Sequence, residues 1–346
     1  MQLDVWQITG EGFHFGRHGL GQEESDEHLV SDSLFAALVA RLAEHRSPQD
    51  VKSFVDQFCG ESPPFALTSA FPFAGPVRFF PTPVRLPSAN RAAAAQADKV
   101  KPKAIKKVKY VSEAVFRELI EGRRFVEFLE SDQGVALHDG KIVLSRAEYE
   151  TLPKPVKKAG KIYQIEQRPQ VTVGRAAYNS QLYFTGRTVF NDQCGLWFGV
   201  QWFDRAPEAT LAMLLYDLSV TGVGGERNHG FGAGAINRGG ELELPDATND
   251  LWVSLSRYLP RADEMGAFTA QAAYAVEAVG GWVATLTDKN QRRRMVHMLP
   301  EGAVLGKVDR AAPGDVVDVQ PKYNDTHPLA HEVWRNGRAV AVGVRG

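Results

Sequence analysis

The sequence predicts an α+β protein of two domains, and three observations carry that prediction. A chain of 346 residues is long enough to bury about two cores. Runs dense in β-branched and aromatic residues are interspersed with a few stretches whose apolar residues recur at helical spacing. The make-up, 44% hydrophobic and 23% charged, is that of an ordinary globular protein. No period of 20 to 50 residues repeats, and no run of about 18 apolar residues offers a membrane span.

The elements follow in order. "LDVWQI" alternates sides and opens the chain as a strand that ends near Gly10 to Gly16. Leu34, Phe35, Leu38, Val39 and Leu42 fall on one face of a helix, with Ser31 or Asp32 placed to cap it. Capping and surface solubility account for Asp26, Glu27 and Asp32 together. Ser47 and Pro48 start a second helix, "PQDVKSFVDQF", with the proline where it loses no hydrogen bond. From "FALTSAFPF" through "VRFFPTPVRLP" the chain reads as extended, its prolines suiting strand ends and edges. The Ala/Lys-rich stretch from Ser88 to Lys109 reads as a loop of low complexity. "SEAVFRELIEG" reads as a short helix, and hairpins are expected at "GVALHDGKIVLS" and "KPVKKAGKIYQI". Residues 85 to 165 thus look like an insertion outside the core. "VTVGR", "QLYFTGRTVF" and "CGLWFGVQWF" restore strand character, and "APEATLAMLLYDLS" is a helix leading into a glycine-rich loop and the strand "GAGAI". Beyond residue 245, "AYAVEAV", "GWVATL", "GDVVDV" and "RAVAVGV" are short strands of a small second domain, α+β or mostly β.

Charge is unevenly spread although the net value is only -1. Residues 1 to 84 sum to -6, residues 85 to 175 to +8 and the remainder to -3. The basic middle suits a polyanion or a solvated loop, and charge does not choose between them. Cys59 and Cys194 are the two cysteines, which leaves no disulfide framework and no cysteine zinc site. The opening residues lack the basic-then-apolar order of a secretion signal, so a cytoplasmic location is expected.

"TGVGGERNHGFGAG", residues 221 to 234, holds six glycines. In a dinucleotide fold or a P-loop the glycines follow a strand and open a helix, whose N-terminus receives the phosphate. Here a helix precedes and a strand follows, which excludes that reading. "HGFGAGAI" overlays part of the RNA-recognition-motif signature, but Ala233 and Ile236 stand where stacking aromatics are needed. Two uses remain: backbone N–H groups crowding a phosphate with Arg227 in support, or glycines that serve the turn itself.

The stretch "FHFGRHGLGQEESDEHLVSDSLFAALVARL" resembles the RAMP superfamily of CRISPR RNA-binding proteins. More narrowly, the chain is similar to the Csm4 family, the fourth subunit of the type III-A Csm effector complex. "FHFG", "SDSLFAAL", "FFPTPVRLP", "RPQVTVGRAAYNSQLYF", "GVGGERNHGFGAG" and "HEVWRNGRAVAVGV" run in that family's order from residue 13 to residue 344. The resemblance implies two ferredoxin-like, RNA-recognition-like domains, at 1–240 and 241–346. The first would carry a β-hairpin thumb inserted at about 85–165. It implies binding of the 5′ repeat-derived tag of a guide RNA and contacts with a large polymerase-like signature subunit and a RAMP backbone subunit. The thumb would lie beside target RNA at the first guide position. The matched motifs place RNA contacts at Phe13, His14, Gly16, Arg17, Gly19, Ser33, Arg85, Arg168, Arg175 and Tyr183. They continue at Gly222, Gly224, Gly225, Arg227, Asn228, His229, Gly230, Gly232, His331 and Arg335. Arg168, Arg175 and Arg187 are also favoured by chemistry, since a guanidinium forks onto phosphate.

No catalytic residue, metal or cofactor is expected. His14 and His18 form an HxxxH pair, but Gly16 and Gly19 argue against the helix that zinc ligation needs. The competing enzyme reading is a metal-independent endoribonuclease maturing guide RNA, with His14 as base and His229 as acid. The motifs are also compatible with the sister RAMP subunit of a type III-B complex, and with a scaffold whose glycine loops serve folding only.

Overall fold

A computed structural model of the protein describes residues 1–16, 24–85, 106–125, 133–173, 180–248, 250–283, 291–321 and 331–345, together with 128 and 329. The first strand, β1 (Gln2–Gly10), is covered on both faces. Its alternation sends Leu3 and Val5 into one apolar cluster and Trp6 and Ile8 into another on the opposite face. Helices α1 (Ser31–His45) and α2 (Pro48–Cys59) pack on the Trp6 face through Leu34, Phe35, Phe54 and Phe58. Ser47 and Asp50 close a reciprocal capping box on α2, as the Ser-Pro start predicts.

The cap expected on α1 is different. The N-cap is Val30, with no side-chain cap bond. Ser31 lies inside the helix, and its hydroxyl instead accepts from the Arg257 N–H at 3.0 Å. Asp32 is 1% exposed and ion-paired with Arg335 at 2.5 Å, so it serves neither as a cap nor as a solubilising charge.

Strands β2 (Phe65–Leu67), β3 (Phe71–Ala74) and β4 (Val77–Pro81) follow. The expectation of edge strands fails here, since β3 and β4 lie inside a nine-stranded sheet. Pro72 is tolerated because β4 pairs β3 only at Phe73 and Ala74, leaving Pro72 with one ladder partner, Leu196. β5 (Tyr110–Ser112), α3 (Glu113–Ile120), β6 (Gly134–Leu137) and β7 (Ile142–Ser145) come next, with β6 and β7 forming the expected hairpin. These strands extend the main sheet in the order β4-β5-β7-β6. Val111, Phe116, Ile142 and Leu144 share one core with Phe79 and Trp197. The elements at 110–120 and 134–145 therefore belong to the core, and the basic composition that suggested otherwise is confined to their flanks.

Helix α4 (Arg146–Thr151) and helix α5 (Lys154–Ala159) replace the hairpin expected at "KPVKKAGKIYQI". Val156 is buried, and Gly160, at φ 64°, ends α5 in the left-handed conformation that costs glycine least. The long hairpin lies further on, where β8 (Tyr163–Val173) pairs β9 (Ser180–Phe190) from Tyr163↔Phe190 to Val173↔Ser180. This two-stranded ribbon is separate from the main sheet. The long hairpin thus lies largely beyond the 85–165 stretch in which a hairpin insertion was expected.

β10 (Cys194–Trp202) returns between β1 and β3, α6 (Glu208–Thr221) packs on the helical face, and β11 (Gly234–Glu243) pairs the far side of β1. The boundary expected at 240 falls inside β11. The C-terminal part contributes β12 (Leu251–Ser254), β13 (Glu277–Val279), β14 (Trp282–Val283) and β15 (Gln291–Arg292). It continues with β16 (Val296–Met298), β17 (Val304–Gly306), β18 (Val316–Asp318), β19 (Trp334–Asn336) and β20 (Ala341–Val344). β12 pairs β17 and β20, and the other strands form antiparallel pairs. Among the described residues this part has no α-helix, only a 3-10 segment at Ala262–Ala267. It takes the mostly β form of the two the sequence left open. Its Val253, Leu255, Val304 and Val342 pack into the same cluster as Leu3 and Val5.

Candidate nucleic-acid interface

The glycine-rich loop between α6 and β11 is built by interlocking with the N-terminal loop after β1. The Gly225 N–H donates to the His14 carbonyl at 2.9 Å, and the Gly232 N–H donates to the Gly12 carbonyl at 2.9 Å. Within the loop the Val223 N–H donates to the Gly232 carbonyl at 3.0 Å. Gly222 and Gly230 also donate, to Leu218 and Arg227. Four of the expected anion-facing N–H groups are thus already bonded within the protein, which corrects the picture of a bare-backbone nest. Side chains would obstruct the interlock: a Cβ on Gly224, at φ +93°, would sit 2.5 Å from the His14 oxygen. One on Gly232, at φ +82°, would collide with the Val223 carbonyl.

Together the two loops form one wall of an open groove of about 950 Å³. His14, Phe15 and Gly16 contribute from the N-terminal loop, and Gly222, Gly224, Gly225 and Arg227 from the glycine-rich one. Helix α1 presents Ser33, Ala36, Ala37 and Ala40, small side chains that keep the groove wide. The C-terminal part adds Arg257, Glu277, Arg293 and Arg335. The remaining stretch carries Glu27, His28, Lys109, Tyr110 and Glu301.

Polarity differs along the groove. Burial pushes the Glu27 carboxyl up, and the Lys109 ammonium at 2.7 Å more than offsets this, so its pKa lies below the ordinary value. Glu27 is thus a buried ion-pair partner rather than a surface charge. At the other end Asp32 meets Arg335, with the Arg257 Nε 4.0 Å away. Burial, and then the neighbouring Arg335, lower the Arg293 pKa to about 10, which still leaves it charged at neutral pH.

His14 is buried, and its Nδ1 lies 2.8 Å from the Gly186 carbonyl. A carbonyl can only accept, so Nδ1 carries the proton of this bond. Arg168, Tyr183 and Arg187 share one face of the ribbon, because Gln170 opposes Tyr183, Arg168 opposes Thr185 and Glu166 opposes Arg187. Arg168 and Arg187 both lie over the Phe231 ring, at 5.9 and 5.6 Å, and so join the ribbon base to the glycine loop.

Several expected contacts fall elsewhere. Phe13 is fully buried, stacked on Phe15, and has no face for a base. Arg335 does line the groove, but it is 4% exposed and its guanidinium is held by Asp32. Asn228, His229 and Gly230 are exposed beyond the groove lining, with His229 paired to Glu226 at 2.7 Å. Arg85 and His331 are exposed and away from the lining, His331 held at 2.8 Å by the Glu332 carbonyl. Arg17, His18, Gly19, Arg175 and most of the 88–109 stretch lie outside the described residues. Arg257 and Arg293 belong to no motif read from the sequence. The signal available for Arg293 is its place in "RRR": alternation along an extended segment turns it opposite to Arg292 and Arg294.

Comparison with known proteins bears on both the C-terminal part and the whole fold. Residues 247–344 match the family model of the CRISPR Csm4 C-terminal domain. The whole chain has the fold of one chain in the crystal structure of a Csm3-Csm4 subcomplex of a type III-A CRISPR-Cas interference complex. The TM-score is 0.67 with 17% identity, covering 100% of both chains. The segment 247–344 is thus similar to the Csm4 C-terminal domain, and the chain as a whole shares the fold of that Csm4 structure. It is also similar to a chain of the Csm1-Csm4 cassette crystallised with cA4, at TM-score 0.59 and 17% identity, covering 100% of this chain and 98% of that one. The same cassette with pppApA gives a TM-score of 0.58 at 17% identity over the same shares. No curated protein sequence matches the chain. Among the described residues no helix is long and apolar enough to cross a membrane.

Proposed function

We propose that the chain binds the 5′ repeat-derived tag of a CRISPR guide RNA in this groove, as a noncatalytic subunit. It would join the large signature subunit to the first backbone subunit. The observation that carries the reading is that two glycine-bearing loops, about two hundred residues apart, come together as one wall of an open groove with three arginines at one end. An open groove of this breadth suits splayed single-stranded nucleotides, whose bases are then free to be read on their edges. The relatives crystallised with Csm3 and with Csm1 support the two protein partners. The β8–β9 ribbon, standing off the main sheet, is the element to lie beside target RNA at the first guide position.

Fluorescence anisotropy with a labelled tag RNA tests this. Arg227 is exposed and lines the groove, so Arg227→Ala removes a charge without touching the core. It should weaken binding and reduce the slope of log K against log salt by about 0.7 per lost phosphate contact. Gly224→Asp is unsuitable as a probe, because it strains the interlock with His14 whatever the RNA does. Binding that is unchanged in Arg227→Ala across the salt range removes the groove reading. Cleavage of repeat RNA by the purified chain to 2′,3′-cyclic phosphate ends removes the noncatalytic one.

A further inference from the structure

The arginine-rich end of the groove holds more positive charge than its own carboxylates neutralise. Asp32, in the first turn of α1, faces Arg335 at 2.5 Å and the Arg257 Nε at 4.0 Å, too far for a hydrogen bond. Arg257 also meets Glu277 at 2.6 Å, and Glu277 is half exposed. Arg293 has no carboxylate of its own among the described residues, and Arg335 lies near enough to disfavour its charge. Three guanidinium groups thus face two carboxylates. Among the described residues, the buried Nε and Nη1 of Arg257, the Nε of Arg293 and the Oδ1 of Asp32 have no hydrogen-bond partner. Arg257 is 8% exposed and Arg335 4%, so these charges are held in place rather than swept through solvent. An unpaired buried donor is costly, more so when charged, and an anion entering the groove relieves both the charge excess and the unmade bonds.

We propose that Arg257, Arg293 and Arg335 form a subsite for a single phosphodiester of the bound RNA, set against Asp32 and Ser33 of α1. This rests on the RNA-binding reading above. Asp32 acts as the positioning residue: its carboxylate holds Arg335 pointed into the groove, while the half-buried Arg293 supplies the donors nearest solvent. Since the three arginines come from the C-terminal part and α1 from the N-terminal part, the phosphate bridges the two. RNA binding therefore tightens the seam between them.

The test uses the full chain and a labelled ten-nucleotide single-stranded tag RNA, together with a series in which one linkage at a time is replaced by an uncharged methylphosphonate. Arg293→Gln, at a half-buried position, should keep the wild-type melting temperature, lower affinity about tenfold and reduce the salt slope by about 0.7. One methylphosphonate position should weaken binding to the wild-type chain by a similar factor and leave Arg293→Gln unaffected, because the partner is already gone. Arg293→Lys, which keeps the charge but loses the fork, should fall between the two. If the wild-type chain binds the RNA but Arg293→Gln matches it in affinity, slope and methylphosphonate profile, the subsite is refuted while the groove reading stands. If the wild-type chain itself fails to bind, the groove reading falls and takes the subsite with it.

Discussion

Gly230 and Gly232 lie two residues apart, have nearly equal positive φ of +81° and +82°, and meet different surroundings. A Cβ on Gly230 would enter open space, whereas one on Gly232 would collide with the Val223 carbonyl. Their replacement by alanine therefore separates backbone strain from close approach. Gly230→Ala should cost only the left-handed penalty of about 1 kcal/mol. Gly232→Ala should cost distinctly more, because it also disturbs the bonds from Val223 to Gly232 and from Gly232 to Gly12. Urea unfolding of the two variants measures the difference, and equal losses would mean that the interlock yields without cost. The same pair shows what the sequence makes legible. That this loop must be glycine-rich and belongs with the N-terminal motif is readable from residues 13–19 and 222–234. That the glycines admit neighbouring backbone rather than exposing their own N–H groups depends on which carbonyl lies opposite, and no local pattern carries that.

At the level of elements, strands with a clean alternation were legible, and those whose setting is decided by distant partners were not. "LDVWQI" names its own two faces, and the structure puts Val5 on one and Trp6 on the other. The strand at Tyr110 sits beside a lysine-rich tract, and its place in the main sheet comes from pairing with Phe79 to Pro81 and with Ile142 and Val143. The ribbon shows the opposite difficulty, because "PQVTV" and "QLYF" read as ordinary sheet strands yet pair only with each other. One of its faces carries Pro169, Val171, Leu182 and Phe184, with Val171 57% and Leu182 59% exposed. A face this open contributes little to folding. The double variant Val171→Ser, Leu182→Ser should leave stability within about 0.5 kcal/mol of wild type, while weakening retention of a guide-target duplex by the assembled complex. Calorimetry and a pull-down of labelled duplex check the two halves. A clear loss of stability would show that the face is packed within the chain.

Across the whole molecule, the two parts are joined by buried polar contacts that make each incomplete without the other. Arg338, 2% exposed and in the C-terminal part, donates from Nε to the Phe58 carbonyl at 3.1 Å and from Nη1 to the Ala312 carbonyl at 3.0 Å, and also bonds the Gly60 carbonyl. Phe58 and Gly60 close α2, whose last carbonyls have no partner inside the helix. A cation there satisfies them and meets the negative end of the helix dipole. Ser256 donates to the Leu67 carbonyl at 2.7 Å, and the cluster containing Leu3 and Val5 continues into Val253 and Val342. A core shared in this way predicts one cooperative unfolding transition rather than two. Arg338→Met, which keeps much of the volume but none of the donors, should lower stability by about 3 kcal/mol or more through the carbonyls left unpaired. The loss should appear equally in helical circular dichroism, which reports the N-terminal helices, and in hydrogen exchange of the β12 and β20 amides followed against temperature, which reports the C-terminal part. If the two probes separate in the variant, with the helices surviving to higher temperature, the parts are independent and the seam is only a contact; coincident curves shifted together establish it as the joint on which both depend.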